Sequence, residues 1–199
     1  MLNRMHRAET RTLIAFVSVC LAWLMLFPAD YAWADLPPGE AEWVCVTVHP
    51  LIDPFEELAE YRRGQGITAR VVSLIDISVW DDGIVFPDQE SQIRWFISSA
   101  HEAWGTRYVL IGGDYEQVPA PITRRETTVG VETAPVDLYY ACLDGNWNGD
   151  GDGWVAEPGE EYAPRPDLAV GRLPADDPWQ AAVMVATTLA SAGRGMARR

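Results

Sequence analysis

Three apolar, β-branched runs decide what this chain can fold into. They are EWVCVTVH (Glu42 to His49), ITARVVSL (Ile67 to Leu74) and RYVLIGGD (Arg107 to Asp114). A strand with one wet face alternates apolar and polar residues. The first and third runs barely alternate, which suits strands buried on both faces. Two segments with helical spacing separate the runs. In DPFEELAEYRRGQG, Asp53 is placed to cap and Pro54 fits the first turn. Phe55, Leu58, Ala59 and Arg62 fall on nearby faces, and Gly64 and Gly66 stop the helix. PDQESQIRWFISSAHEAWG opens at Pro87, carries an apolar stripe of Ile93, Phe96, Ile97 and Ala100, and ends at Gly105.

Strand, helix, strand, helix, strand predicts an α/β fold, a parallel sheet sandwiched by helices. DLAVGRLP (Asp167 to Pro174) reads as a further strand. DDPWQAAVMVATTLASAG reads as a closing helix with Asp176 or Asp177 as its cap. Between Asp114 and Asp167 the pattern shows turns and acids. No internal repeat and no long linker divides the chain.

Residues 1–34 stand apart as a leader. Arg4, Arg7 and Arg11 precede an apolar run from Leu13 to Phe27, and Ala32-Trp33-Ala34 follows. A basic start, a short apolar middle and small residues at the −3 and −1 positions describe a secretory signal, cleaved between Ala34 and Asp35. The alternative is a membrane anchor, for which the run is short against the roughly 18 apolar residues of a spanning helix. The expected mature protein is exported, secreted or held in the cell envelope, with residues 35–199 as its domain.

Charge narrows the partners. The sequence holds 29 acids against 15 bases, and every base is Arg. A formal charge of −14 argues against nucleic acid, whose phosphates demand a positive face. It equally disfavours an anionic membrane surface once the leader is gone. The acids crowd between Asp137 and Asp177, where only Arg165 and Arg172 oppose them. That stretch is either a solvated connection or a cation site.

Its core, DGNWNGDGDGWVAE, places Asp144, Asn146, Asn148, Asp150 and Asp152 at alternate positions, with glycines between. Calcium takes about six to eight oxygens, and alternating acids and amides in a Gly-rich turn supply them. The Glu expected at the twelfth position is replaced by Val155, and Glu157 is placed to reach back. Magnesium demands a stricter octahedron, and zinc would find only Cys142 as a soft ligand nearby. Calcium, on Asp144, Asn146, Asn148, Asp150, Asp152 and Glu157, is the expectation.

Nucleophilic chemistry has weaker support. Cys45 and Cys142 outlast the leader, and an exported pair is either bridged or free. His49 and His101 are the histidines on offer, and neither has a sequence reason to meet Cys142. Gly112-Gly113-Asp114 sits at a strand's carboxyl end, where α/β sheets place ligands, without the spaced glycines of a dinucleotide site.

Taken in order, PDQESQIRWFISSAHEAWGTR, YVLIGGDYEQVPAPI, VDLYYACLDGNWNGDGDG and DLAVGRLPADD resemble the gingipain family of cysteine peptidases, from about Trp43 to Leu189. The resemblance implies a caspase-like first half-domain, extracellular proteolysis of protein or peptide substrates, and bound calcium. It also implies a nucleophilic Cys after Ala and a basic His before Gly, both downstream of the VGR strand. This sequence has no His-Gly pair, and Ala141-Cys142 precedes Arg172. No catalytic residue therefore carries over. The expectation is an inactive, truncated half that lacks its second half-domain, with a non-catalytic calcium-binding module as the alternative. Cys142 is expected to be structural, beside an acidic loop that joins two strands.

Overall fold

A computed structural model describes residues 36–157, 160 and 165–196. The expected leader and its cleavage point lie outside the described residues. Four strands form one parallel sheet: β1 (Trp43–Thr47), β2 (Ala69–Ser73), β3 (Tyr108–Gly112) and β6 (Ala169–Leu173), in the order β2-β1-β3-β6. Trp43 pairs with Ala69 on one side and Tyr108 on the other, and Tyr108 pairs with Ala169. All five β1 residues are buried, as its unbroken apolar run requires.

Helices cover both faces. On one face α1 (Ile52–Gly64) and α5 (Pro178–Met196) pack over Trp43, Cys45, Phe55, Leu58 and Val185. On the other, α3 (Gln89–Trp104) sets Ile93, Phe96, Ile97 and Ala100 against Val44, Val46 and Ile111. Asp88 caps α3 by accepting from the Ser91 N–H at 2.7 Å, and Gly105 ends it at φ 71°. Asp177 is the cap of α5, accepting from the Gln180 N–H at 2.9 Å. Asp53 caps nothing; it stands inside the first turn of α1, whose N-cap is Leu51. Among the described residues no helix is long and apolar enough to cross a membrane.

Four elements go beyond the sequence reading. Helix α2 (Leu74–Trp80) follows β2 directly, started by a capping box between Ser73 and Asp76. Strands β4 (Ile122–Thr127) and β5 (Gly130–Pro135) make an antiparallel hairpin over residues expected to be turns. Helix α4 (Leu138–Ala141) is a single turn, so the acidic loop runs from a helix to β6 and does not join two strands.

One side chain ties these parts together. The Arg172 guanidinium on β6 forks onto Asp137, with Nε to Oδ2 at 2.9 Å and Nη2 to Oδ1 at 2.7 Å. Its Nη1 donates to the carbonyls of Gly113 (2.9 Å), Asp114 (3.1 Å) and Val118 (2.8 Å). The guanidinium also stacks 4.3 Å from the Tyr115 ring centroid. Beside it the Tyr140 hydroxyl donates to the Pro119 carbonyl. The side chain of Arg172 is only 6% exposed. Breaking such a buried pair strands a charge, at a cost of about 3–5 kcal/mol. Arg172→Met and Asp137→Asn should each lower unfolding stability by that order, as read from urea denaturation. Arg172→Lys should lose much of the same stability, because an ammonium cannot reproduce the planar fork. A loss under about 1 kcal/mol, the range of exposed pairs, would mean that the contact contributes no more than a surface bridge.

Candidate functional site

The acidic loop is anchored before it is charged. Trp147 is buried and meets Tyr139 edge-on at 5.7 Å and 87°. The Val155 N–H donates to the Ile122 carbonyl, and the Ala156 N–H to that of Trp147. Val155 therefore occupies the twelfth position because it is part of the core, not because a ligand was lost there. Arg94 of α3 holds the loop's start, donating to the carbonyls of Cys142 (2.8 and 3.2 Å) and Asp144 (2.9 Å). Asp167 closes its base through the Leu143 N–H at 2.7 Å.

The alternating acids and amides have a local structural use. Asn146 accepts from the N–H of Asn148, Asp150 from that of Asp152, and Asp152 from that of Trp154. Each is a side chain closing a turn on the backbone two residues on. Gly145, Gly151 and Gly153 take positive φ, which the tight turns require.

Of the six residues expected to hold a cation, three converge. One carboxylate oxygen each from Asp150, Asp152 and Glu157 lies within 4.8 Å of the others. Asp144 stays outside that cluster, contributing its carbonyl to Arg94 and to Trp147 Nε1 instead. Asn146 and Asn148 line a cavity of about 410 Å³ between the loop and the start of α3. The Oδ1 atom of Asn148 is buried without a hydrogen-bond partner. Partial desolvation, then the like charges of Asp152 and Asp150, raise the Glu157 carboxyl above the ordinary carboxylate range. Sequence reasoning missed Glu160, which accepts from the Gly149 and Glu157 N–H groups at 2.8 Å each. Its signal is an acid placed just beyond the loop, closing the turn from the far side.

The two cysteines do not form a reactive centre. Both are fully buried and free, on opposite faces of the sheet. Burial, then the Asp167 charge, pushes the Cys142 thiol up, and only Arg94 opposes them. Burial pushes the Cys45 thiol far up as well. His101 Nδ1 is engaged with the Thr106 carbonyl at 2.7 Å, and His49 lies exposed beyond the end of β1. No hydrogen bond joins a cysteine to a histidine among the described residues.

The Gly112-Gly113-Asp114 turn is equally committed. The Gly113 N–H donates to Leu173 and the Asp114 N–H to Ala175, so neither is free for a phosphate. A Cβ on Gly112 would stand 2.5 Å from the Phe55 ring. The Asp114 carboxylate, lowered chiefly by a hydrogen bond with Asp176, accepts from the N–H groups of Glu116 and Gln117.

Comparison with known proteins bears on this arrangement. No curated protein matches the sequence. Among solved structures, dimeric latent PorU from Porphyromonas gingivalis superposes with a TM-score of 0.51 at 20% identity, over 74% of this chain and 15% of that one. A structure described as a protease gives a TM-score of 0.49 at 15% identity, over 79% of this chain and 28% of that one. The first likeness supports the α/β, caspase-like fold. This chain thus spans well under a third of either structure. The sequence profile of peptidase family C25, the gingipain family, matches residues 36–198. The profile runs through the sheet, the Arg172 cluster and the acidic loop alike, and on that extent the chain belongs to peptidase family C25.

Proposed function

We propose that this chain is the amino-terminal half of an exported gingipain-type cysteine endopeptidase, with the catalytic Cys and His supplied by polypeptide outside it. The observation that carries the reading is the burial of both described cysteines in a chain whose family works through a cysteine. A nucleophilic thiol must be exposed and its pKa depressed. Cys142 is neither. The whole enzyme would hydrolyse peptide bonds of protein substrates. This half would contribute the sheet on which a second half-domain builds and the loop that holds a cation.

Incubated with a broad peptide panel and a thiol reductant, the mature chain should show no turnover, before or after Cys142→Ala. Iodoacetamide should modify Cys142 only after denaturation. Turnover lost on Cys142→Ala would place the nucleophile in this half and overturn the reading.

Calcium at the loop is part of the same proposal. Three converging carboxylates and a buried, unpartnered amide oxygen suit a hard cation with oxygen ligands. Asp150, Asp152 and Glu157 would hold the ion, with Asn148 as a further oxygen on the same loop. The ion would supply positive charge, neutralise the carboxylates and stabilise the native loop.

The sign of the pH effect follows from Glu157. Its folded pKa is raised, so the native loop keeps its proton to higher pH than the unfolded chain. Stability is therefore lost as pH rises from the ordinary carboxylate range through the raised value. With a chelator present, Glu157→Gln should melt above the parent at neutral pH, and the gap should close at low pH. With calcium the order should reverse, because the parent gains and the variant gains less. If calcium leaves the parent's melting temperature unchanged, the loop is a solvated acidic connection, and the non-catalytic calcium-binding module falls with it.

A further inference from the structure

Beyond the leader the sequence has two asparagines, Asn146 and Asn148, both in the acidic loop, and only Asn148 precedes a glycine. The side-chain carbonyl carbon of an asparagine lies within reach of the next residue's backbone nitrogen, which makes Asn thermolabile. Attack needs room around that nitrogen, and a glycine supplies it. Gly149 is exposed, and a Cβ built on it meets nothing within 4 Å. Asp144, Asp150 and Asp152 also precede glycines, but their carboxylates repel an electron-rich nucleophile that an uncharged amide accepts. Asn146 precedes Trp147, whose buried ring is fixed against Tyr139.

The nitrogen placed to attack is already bound to a base. The Gly149 N–H donates to Glu160 Oε1 at 2.8 Å, and Glu160 is itself fixed by accepting from the Glu157 N–H through Oε2 at 2.8 Å. A carboxylate at hydrogen-bond distance from the proton to be removed is the geometry of general-base catalysis. The electrophile is unrestrained: Asn148 Oδ1 accepts nothing, and among the described residues no hydrogen bond engages the amide nitrogen of its side chain. The Asn148 N–H is held by Asn146 Oδ1 at 3.3 Å, which fixes the backbone on the other side of the reacting pair. Asn148 also lines the cavity of about 410 Å³, a route for water in and ammonia out.

We propose that Asn148–Gly149 is a self-modification site at which Glu160 drives deamidation. The Gly149 nitrogen bonds to Cγ of Asn148 as its proton passes to Glu160. The Cγ–Nδ2 bond breaks, and the departing amino group takes a proton back and leaves as ammonia. One water opens the resulting cyclic imide at either carbonyl, leaving aspartate or isoaspartate at position 148. Water is the only co-reactant, and nothing is oxidised or reduced. The aspartate product adds a carboxylate to a loop that already gathers Asp150, Asp152 and Glu157. Calcium affinity follows the charge count of the ligands. On the cation reading above, on which this consequence alone rests, the reaction turns a weaker site into a tighter one as the protein ages.

The test holds the mature chain at neutral pH with a chelator, beside a synthetic peptide spanning Leu143 to Gly153. Peptide mapping reads the replacement of the amide by a carboxyl, and heavy-oxygen water labels the new oxygen. Asn148 should convert at least as fast in the folded chain as in the peptide, with Asn146 of the folded chain unchanged. Glu160→Gln should slow the folded chain about tenfold or more, well within what a positioned base contributes. Amide exchange at Val155 and Ala156, whose N–H groups are bonded in the native loop, shows whether the variant keeps its fold. In Glu160→Ala, added formate should restore the rate by entering the vacated place as a base. Slower conversion in the folded chain than in the peptide means that the fold protects the amide, and overturns the proposal. A folded Glu160→Gln that converts as fast as the parent, or a Glu160→Ala blind to formate, overturns Glu160 as the base. The chelator keeps these outcomes independent of the cation. If calcium then stabilises aged and fresh chains equally, the consequence for affinity falls; if it stabilises neither, the cation reading falls and the modification stands.

Discussion

The Arg172–Asp137 pair is the interaction on which the remaining architecture depends. It joins the last strand of the sheet to the turn that starts the acidic loop, and both to the carbonyls after β3. Three of the four sequence stretches that mark the family are its parts. IGGD and the following VP region provide the carbonyls, DLYY provides the carboxylate and the Tyr140 hydroxyl, and VGR provides the guanidinium. Motifs separated by more than fifty residues are one hydrogen-bonded cluster. Burying a guanidinium is expensive, and five donor contacts plus a ring face are what make it tolerable here. The acceptors are mostly backbone carbonyls, so the cluster fixes chain path as well as side-chain position.

Charge sets a second constraint, opposite in kind. The loop's acids are held close by turns that they themselves close, and nothing between Asp144 and Glu157 is basic. Asp150 and Asp152 each accept from a backbone N–H. Those bonds explain the alternation of Asx residues without any ion. They do not explain why Glu157, from beyond the buried Val155, converges on the same point. Convergence of like charges is unfavourable, and it adds to the partial desolvation that raises the Glu157 carboxyl. The loop is therefore locally ordered and electrostatically tense, with Trp147 and Val155 holding it against repulsion.

How much of this was legible depended on whether one segment carried its own signal. The four parallel strands and the three long helices were legible because burial on two faces and helical stripes are properties of contiguous residues. Asp177 was legible as one of two candidate caps, whereas the Asp88 cap was missed because Pro87 took the opening position. The hairpin of β4 and β5 was missed although Thr133 faces Arg124 across an alternating, β-branched ladder, because its acids and arginines resemble loop. Helix α2 was missed because its seven residues are too short to show a stripe, though Ser73 and Asp76 form a recognisable capping box. Within the site, Asp150, Asp152 and Glu157 were legible as a group, and Glu160 was not, since its partners Gly149 and Glu157 are adjacent only after the loop folds back. The solitary Arg172 gave no hint that it would be buried at all.

Open α/β sheets place their chemistry at the carboxyl ends of the strands. In this chain those ends are filled. Phe55 presses on Gly112, Thr47 donates to the Gly112 carbonyl, and Arg172 takes up the carbonyls of Gly113 and Asp114. The usual ligand crevice is thus converted into a structural lock, and the histidine nearest to it, His49, faces solvent alone. What remains open lies elsewhere: a loop with more negative charge than its own contacts neutralise, and a sheet edge with donors and acceptors that its own strands do not use. The carboxyl ends of the strands, where this class of sheet offers its crevice, are closed by the chain's own side chains.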